Sequence, residues 1–142
     1  MKMLDIQYPA KQGGQYVATV AAIHEFGAPQ NNILPRPFLT PAIAENKTAW
    51  LLLAEKGAKR AIKGDETILT ILEKIGARAS SDVKKAIQNV TSPALSKKTI
   101  DARKRRYLSK AKNKKVLPKY IEKPLIDTGV MFESVSFAVE PE

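Results

Sequence analysis

His24 and Glu25 are the first adjacent pair in the chain able to hold a metal or move a proton. A zinc-binding helix of the protease type needs a second histidine four residues on, so that two imidazoles share one face. Position 28 is Ala28, and the chain has no other histidine. Every other ligand would have to be a carboxylate, an uncommon set for zinc. The pair reads instead as two hydrogen-bonding groups that hold a turn. Asp127-Thr128-Gly129 carries the triplet of the aspartic proteases. That chemistry requires two carboxylates sharing a proton, hence a second triplet or a homodimer of strand-rich subunits. This sequence is dominated by helical spacing, and Asp127 reads more simply as a helix cap. Gly13-Gly14 is followed by no Gly-Lys-Ser/Thr and is a turn, not a phosphate loop. With no cysteine, thiolate ligands, thiol nucleophiles and disulfides are excluded. No cofactor and no enzymatic constellation emerges.

Charge is the strongest compositional signal. Of the 24 basic residues, 12 lie between positions 97 and 123, against 2 of the 14 acidic ones, leaving 12 of each sign elsewhere. The whole net charge of +10 therefore belongs to one segment. Its densest part is Arg103, Lys104, Arg105 and Arg106, followed by Lys110, Lys112, Lys114 and Lys115. Such a cluster can neutralise phosphates without reading sequence. It can equally be a solvated face, since aromatic side chains that would stack on bases are sparse there.

The elements that must position these groups centre on a stiff connector. Gly27, Pro35, Pro37 and Pro41 preclude a continuous helix or a central strand over this stretch. Phe26 and Phe38 stand on it beside Glu25 and Arg36. Before it, residues 3–8 and 15–21 alternate or are β-branched and read as a strand hairpin, with 22–26 a helical turn closed by Gly27. After it, Thr40-Pro41 reads as a helix start, the helix running to about Lys63. Ile43, Trp50, Leu53, Ala54 and Ala61 recur at helical spacing, and Leu51, Leu52 and Ile62 widen the stripe, which suggests burial on two sides. Asp65 is placed to cap a second helix over 66–89, with Ile68, Leu72, Ile75, Ala79, Val83, Ala86 and Val90 stepping by three or four. Gly57, Ala58, Gly76 and Ala79 would let the two backbones approach.

Beyond Pro93 a short helix capped by Ser96 is expected to about Leu108, then a Lys-rich mobile loop over 109–119. Residues 135–139 alternate and read as a terminal strand. The expected architecture is one α+β domain over 1–142. A small antiparallel sheet from the N-terminal hairpin and C-terminal strand packs on two long helices, with a basic, mobile insertion at about 97–123. The longest apolar run, Ala49-Trp50-Leu51-Leu52-Leu53-Ala54, falls far short of the ~20 residues that span a bilayer. Asp5 interrupts any secretory apolar stretch, so folding in a cytoplasm is the expectation.

Two strings carry a family resemblance. Val20-Ala21-Ala22-Ile23-His24-Glu25-Phe26-Gly27-Ala28 is followed, after a polar loop, by Leu34-Pro35-Arg36-Pro37-Phe38-Leu39-Thr40-Pro41-Ala42-Ile43. Near the other end stands Lys123-Pro124-Leu125-Ile126-Asp127-Thr128-Gly129-Val130-Met131-Phe132-Glu133-Ser134-Val135. Together they resemble the tail-completion and minor tail proteins of tailed bacteriophages, also labelled virion morphogenesis or neck proteins. The resemblance implies a non-enzymatic structural subunit, synthesised in the host bacterial cytoplasm and incorporated in the virion. Such a subunit forms a ring-like oligomer and joins other tail or neck proteins, with the basic segment facing channel DNA or an acidic neighbour. It also implies a structural role for the turn His24, Glu25, Phe26, Gly27.

Two functions follow. In the first, assembly, Phe26, Arg36 and Phe38 sit on or under an interface, with Phe38 favoured as a core anchor. In the second, the chain is a small basic protein binding nucleic-acid backbone through residues 97–123. Salt separates them, because phosphate binding falls steeply as salt rises and an apolar interface does not.

Overall fold

The computed structural model describes residues 6–110 and 116–140. They form five α-helices: α1 (Val17–Phe26), α2 (Leu39–Ile62), α3 (Ile68–Asn89), α4 (Lys97–Lys110) and α5 (Val130–Ser134). No β-strand forms among the described residues; the only ladder-like pairings are isolated bridges at Gln7–Tyr16 and Ala28–Ile33. The fold is mostly helical, so the expected α+β architecture with an antiparallel sheet is overturned.

Two local features of the sequence account for the difference. Val17, Thr19 and Val20 suit a strand, but β-branching lowers helix propensity by only a few tenths of a kcal/mol per residue. Ala18, Ala21 and Ala22 favour helix, and the helical spacing puts Val17, Ala18 and Ala21 together on the core. Residues 135–140 join no ladder, although Val135 itself is extended. Their alternation tracks burial only in part: Val135 is in the core, while Phe137, still exposed, lays its ring over Gly76. Of the first expected strand, residues 3–5 lie outside the described residues. The turn at Gly13 and Gly14, both at positive φ, is present as expected. It lets Tyr8 N–H reach the Gln15 carbonyl at 2.9 Å and Val17 N–H the Ile6 carbonyl at 2.8 Å.

The long helices follow their spacing. α2 and α3 run antiparallel across a tight link at 63–67, with Gly64 at φ 80°. Thr67, not Asp65, caps α3, its Oγ1 accepting from Thr70 N–H at 3.2 Å. Gly57 admits Ile71: a Cβ there would strike Ile71 Cγ2. Gly76 serves the C-terminal segment instead, since a Cβ there would strike the Phe137 ring. Toward the base, Trp50 Nε1 donates to buried Asp82 at 3.0 Å, and Arg78 Nε does so at 2.9 Å. Burial opposes the Asp82 charge, but the Trp50 and Arg78 hydrogen bonds, with Arg78 and Lys85 nearby, hold its carboxyl below the ordinary range.

The core gathers at one end of this hairpin. Val17 of α1, Phe38 and Ala42, Val83 and Ile87 of α3, Leu125, Met131 of α5, and Val135 form one buried cluster. Beyond Trp50 and Asp82, the hairpin packs chiefly on itself, with Gly57 and Ile71 its only buried residues.

Candidate functional site

The connector is built around one carboxylate. Glu25 lies in the last turn of α1, and Gly27 ends that helix at φ 76°, its N–H reaching the Ile23 carbonyl at 2.8 Å. A Cβ on Gly27 would sit 2.9 Å from the Ile33 carbonyl, so glycine is required for the reversal. The chain returns with Arg36 N–H donating to the His24 carbonyl at 2.6 Å. That brings the start of α2 onto Glu25. Its Oε2 accepts from Phe38 N–H at 2.8 Å and Leu39 N–H at 2.9 Å, and its Oε1 from Thr40 N–H at 2.9 Å. Those are N–H groups that a helix leaves without internal partners, and the carboxylate also faces the positive helix end. Burial opposes the charge, but the Thr40 hydroxyl and the three N–H groups outweigh it, keeping the Glu25 carboxyl below the ordinary range. The expected cap at Thr40-Pro41 is thus replaced by a cap from another helix, and α2 starts at Leu39.

The neighbouring residues divide by exposure. Phe38 is 3% exposed and anchors the connector in the core, as expected of it. Phe26 is 75% exposed. Arg36 reaches across the fold, its Nε donating to the Pro93 carbonyl at 2.7 Å and Nη2 to the Ala94 carbonyl at 3.4 Å. Pro37 lines a groove between the start of α2 and the end of α3.

The basic cluster also divides. Arg103 points into the protein, where Nη1 donates to the carbonyls of Lys123 at 2.8 Å, Ile126 at 2.9 Å and Ile121 at 3.3 Å. Its Nη2 reaches the Pro124 carbonyl at 3.4 Å. It is a clamp on the segment entering α5, not a DNA-facing group. Arg106 binds Asp127, which also lies 3.4 Å from Arg103 Nε. Asp127 is therefore an ion-pair partner for two guanidiniums, and the expected cap role falls to Gly129 at φ 85°. Thr128 donates from its hydroxyl to Gln12 Oε1 at 3.1 Å. Arg105 and Lys110 of α4 are exposed, and Lys104 half-buried. Lys112, Lys114 and Lys115 lie outside the described residues, as do residues 111–115 of the expected Lys-rich loop. Lys110 is still helical, and Lys119 opens a 3-10 turn, Lys119–Glu122.

These pieces enclose a cleft of about 460 Å³ between residues 8–15, α1, α4 and the loop before α5. His24, Arg103, Arg106, Lys110, Asp127 and Thr128 line it, and so does Lys11. His24 Nδ1 is sealed from solvent without a hydrogen-bond partner. Burial, then Arg36 and Arg103, push its pKa below the ordinary histidine value. Sequence reasoning did not find Lys11 or Gln12, because nothing local links them to positions more than 90 residues away. It also misjudged the leucines of the hairpin tip. Leu51, Leu52 and Ile62 of α2 are exposed, although the width of that stripe had suggested burial on two sides, and Ile68, Leu69 and Leu72 of α3 are exposed as well.

Among the described residues, no group of three His, Asp or Glu is placed to hold a metal ion. No described helix is long and apolar enough to cross a membrane. Compared with known proteins, the chain matches no family model, no curated protein and no solved structure.

Proposed function

We propose that this chain is a non-enzymatic virion-assembly subunit of the tailed-phage kind, a tail-completion or head-tail joining component. It works by joining copies of itself and neighbouring virion proteins, in the host cytoplasm during assembly and then in the particle. The observation that carries the reading is the hairpin tip. The α3 stripe that buries Val83 and Ile87 at the base runs on at the same helical spacing through Gly76 to Leu72 and Leu69. Phe137 covers Gly76, and beyond it the described chain supplies no cover. Leu51 and Ile62 on α2, 60% and 86% exposed, add to the apolar surface. A patch of this kind on a small protein marks an association surface. The occupant is a second copy, for which the ring-like assembly implied by the two motif strings supplies the geometry. The motif residues themselves act as framework: Glu25, Gly27, Arg36 and Phe38 fix how the hairpin leaves the base.

The second reading, nucleic-acid backbone binding, rests on the exposed cations of α4, Lys97, Lys98, Arg105 and Lys110. Light scattering behind size exclusion, at low and high salt and with and without nuclease, separates the two. Assembly predicts oligomers that survive high salt and fall to monomers in L69E/L72E. A monomer carrying nucleic acid until salt strips it would overturn assembly in favour of the second reading.

A further inference from the structure

We infer that the cleft beside His24 is a phosphate-binding site, taking free phosphate or the phosphate of a nucleotide-sized ligand. Its volume, about 460 Å³, falls within the range of small-molecule sites. Val20, Leu125 and Met131 give it apolar walls, and the Thr128 hydroxyl adds a polar group. The charge count favours an anion. Arg103 and Arg106 share the single carboxylate of Asp127, and Lys11 and Lys110 have no acidic partner among the described residues. Three positive charges are thus left uncompensated around a recess whose low-dielectric walls focus their field. One carboxylate would offset one of them. A phosphate near neutral pH carries up to two charges and three acceptor oxygens, which the Arg106 fork and two ammonium groups suit.

His24 lines the same cleft and reports on its charge. Its Nδ1 is sealed and unpartnered within this electropositive surround. The groups acting on the ring are Arg36 from the connector and Arg103 from α4, while Arg106, Asp127, Lys11 and Tyr8 face the same cleft. Both arginines oppose protonation of His24. An anion held among them offsets that opposition, so binding is coupled to proton uptake by the imidazole. The site resides in one subunit and does not depend on the assembly reading.

His24 is the only histidine, so its imidazole proton resonance is a unique reporter. Nuclear magnetic resonance at low ionic strength, titrating inorganic phosphate, should show a saturable shift of that resonance. Its titration midpoint should move up toward the ordinary histidine range. In K11E/K110E, which alters two exposed side chains, affinity should fall by about tenfold or more, as expected for lost charge-assisted contacts, at an unchanged melting temperature. Parallel titrations with a mononucleotide and a short single-stranded oligonucleotide identify the source. Equal affinity for phosphate and mononucleotide supports a free-phosphate site, and tighter mononucleotide binding supports a nucleotide site. Affinity that appears only with the oligonucleotide and grows with its length would overturn a small-ligand site. So would the absence of a shift at millimolar phosphate, or a shift retained in K11E/K110E.

Discussion

The two ends of the α2–α3 hairpin are made from the same repeating pattern and end in opposite conditions. At the base, Val83 and Ile87 of α3 meet Val17, Phe38, Leu125, Met131 and Val135, and Ile87 is 0% exposed. At the tip, Leu69 and Leu72 continue the stripe into solvent, and beside the Gly57–Ile71 contact stand ion pairs of Glu66 with Lys74 and Arg60. Surface pairs of this kind contribute roughly 0–1 kcal/mol each. Periodicity therefore reports which face of a helix is apolar, not what covers it. The base is where the monomer acquires its stability, and the tip is where a second molecule has something to gain.

The sharpest way to break this comparison is truncation at each end. Ile87→Ala should destabilise by about 2–5 kcal/mol, through lost burial plus a cavity. Ile62→Ala at the tip should stay within about 0.5 kcal/mol in the isolated chain. Urea unfolding of the two variants measures both. Equal losses would mean that the tip contributes as much to monomer stability as the base does.

Glu25→Ala should come next, at about 2–4 kcal/mol, because it orphans the N–H groups of Phe38, Leu39 and Thr40 where the connector meets the core. Hydrogen exchange sharpens the point: those amides should lose protection while amides near Gly57 keep theirs.

The smallest effect is in pH, and it also belongs to the base. His24 has its pKa lowered in the fold, so the unfolded chain binds the extra proton first. Stability is therefore full above about pH 6.5 and begins to fall below it. Glu25 and Asp82, also lowered, contribute stability that is present above the ordinary carboxylate range and is lost as pH falls through their folded values. Thermal melts from pH 8 downward should show two successive declines, and His24→Gln should remove the first. A single decline in the wild type would contradict the histidine contribution.

α3 was legible because Ile68, Leu72, Ile75, Ala79 and Val83 repeat over many turns, which no strand could use, and α2 because Ile43, Trp50, Leu53, Ala54 and Ala61 do the same. Ser96 was legible as a cap from its own position, and its Oγ accepts from Thr99 N–H at 3.2 Å. What escaped was tertiary. Val17 looks like strand until Phe38 and Met131 give it a core to enter as helix. Phe137 looks like strand until Gly76 offers its ring a seat. Of the candidate site, Phe38 and the turn at Glu25 could be placed from local chemistry. Arg103 could not, because what separates a clamp from a solvated cation is the path of residues 121–126, which the basic run does not encode.

The cap on α2 has one more consequence. Glu25 and the N–H groups it holds are 13 to 15 positions apart, on separate helices. The boundary of the longest helix is thus decided by chain reversal at Gly27. A peptide beginning at Phe38 would have only Thr40 to start from and would open its first turn at Pro41. In the whole chain Leu39 is recruited as well, so the register in which the hairpin meets the base is set from outside the hairpin.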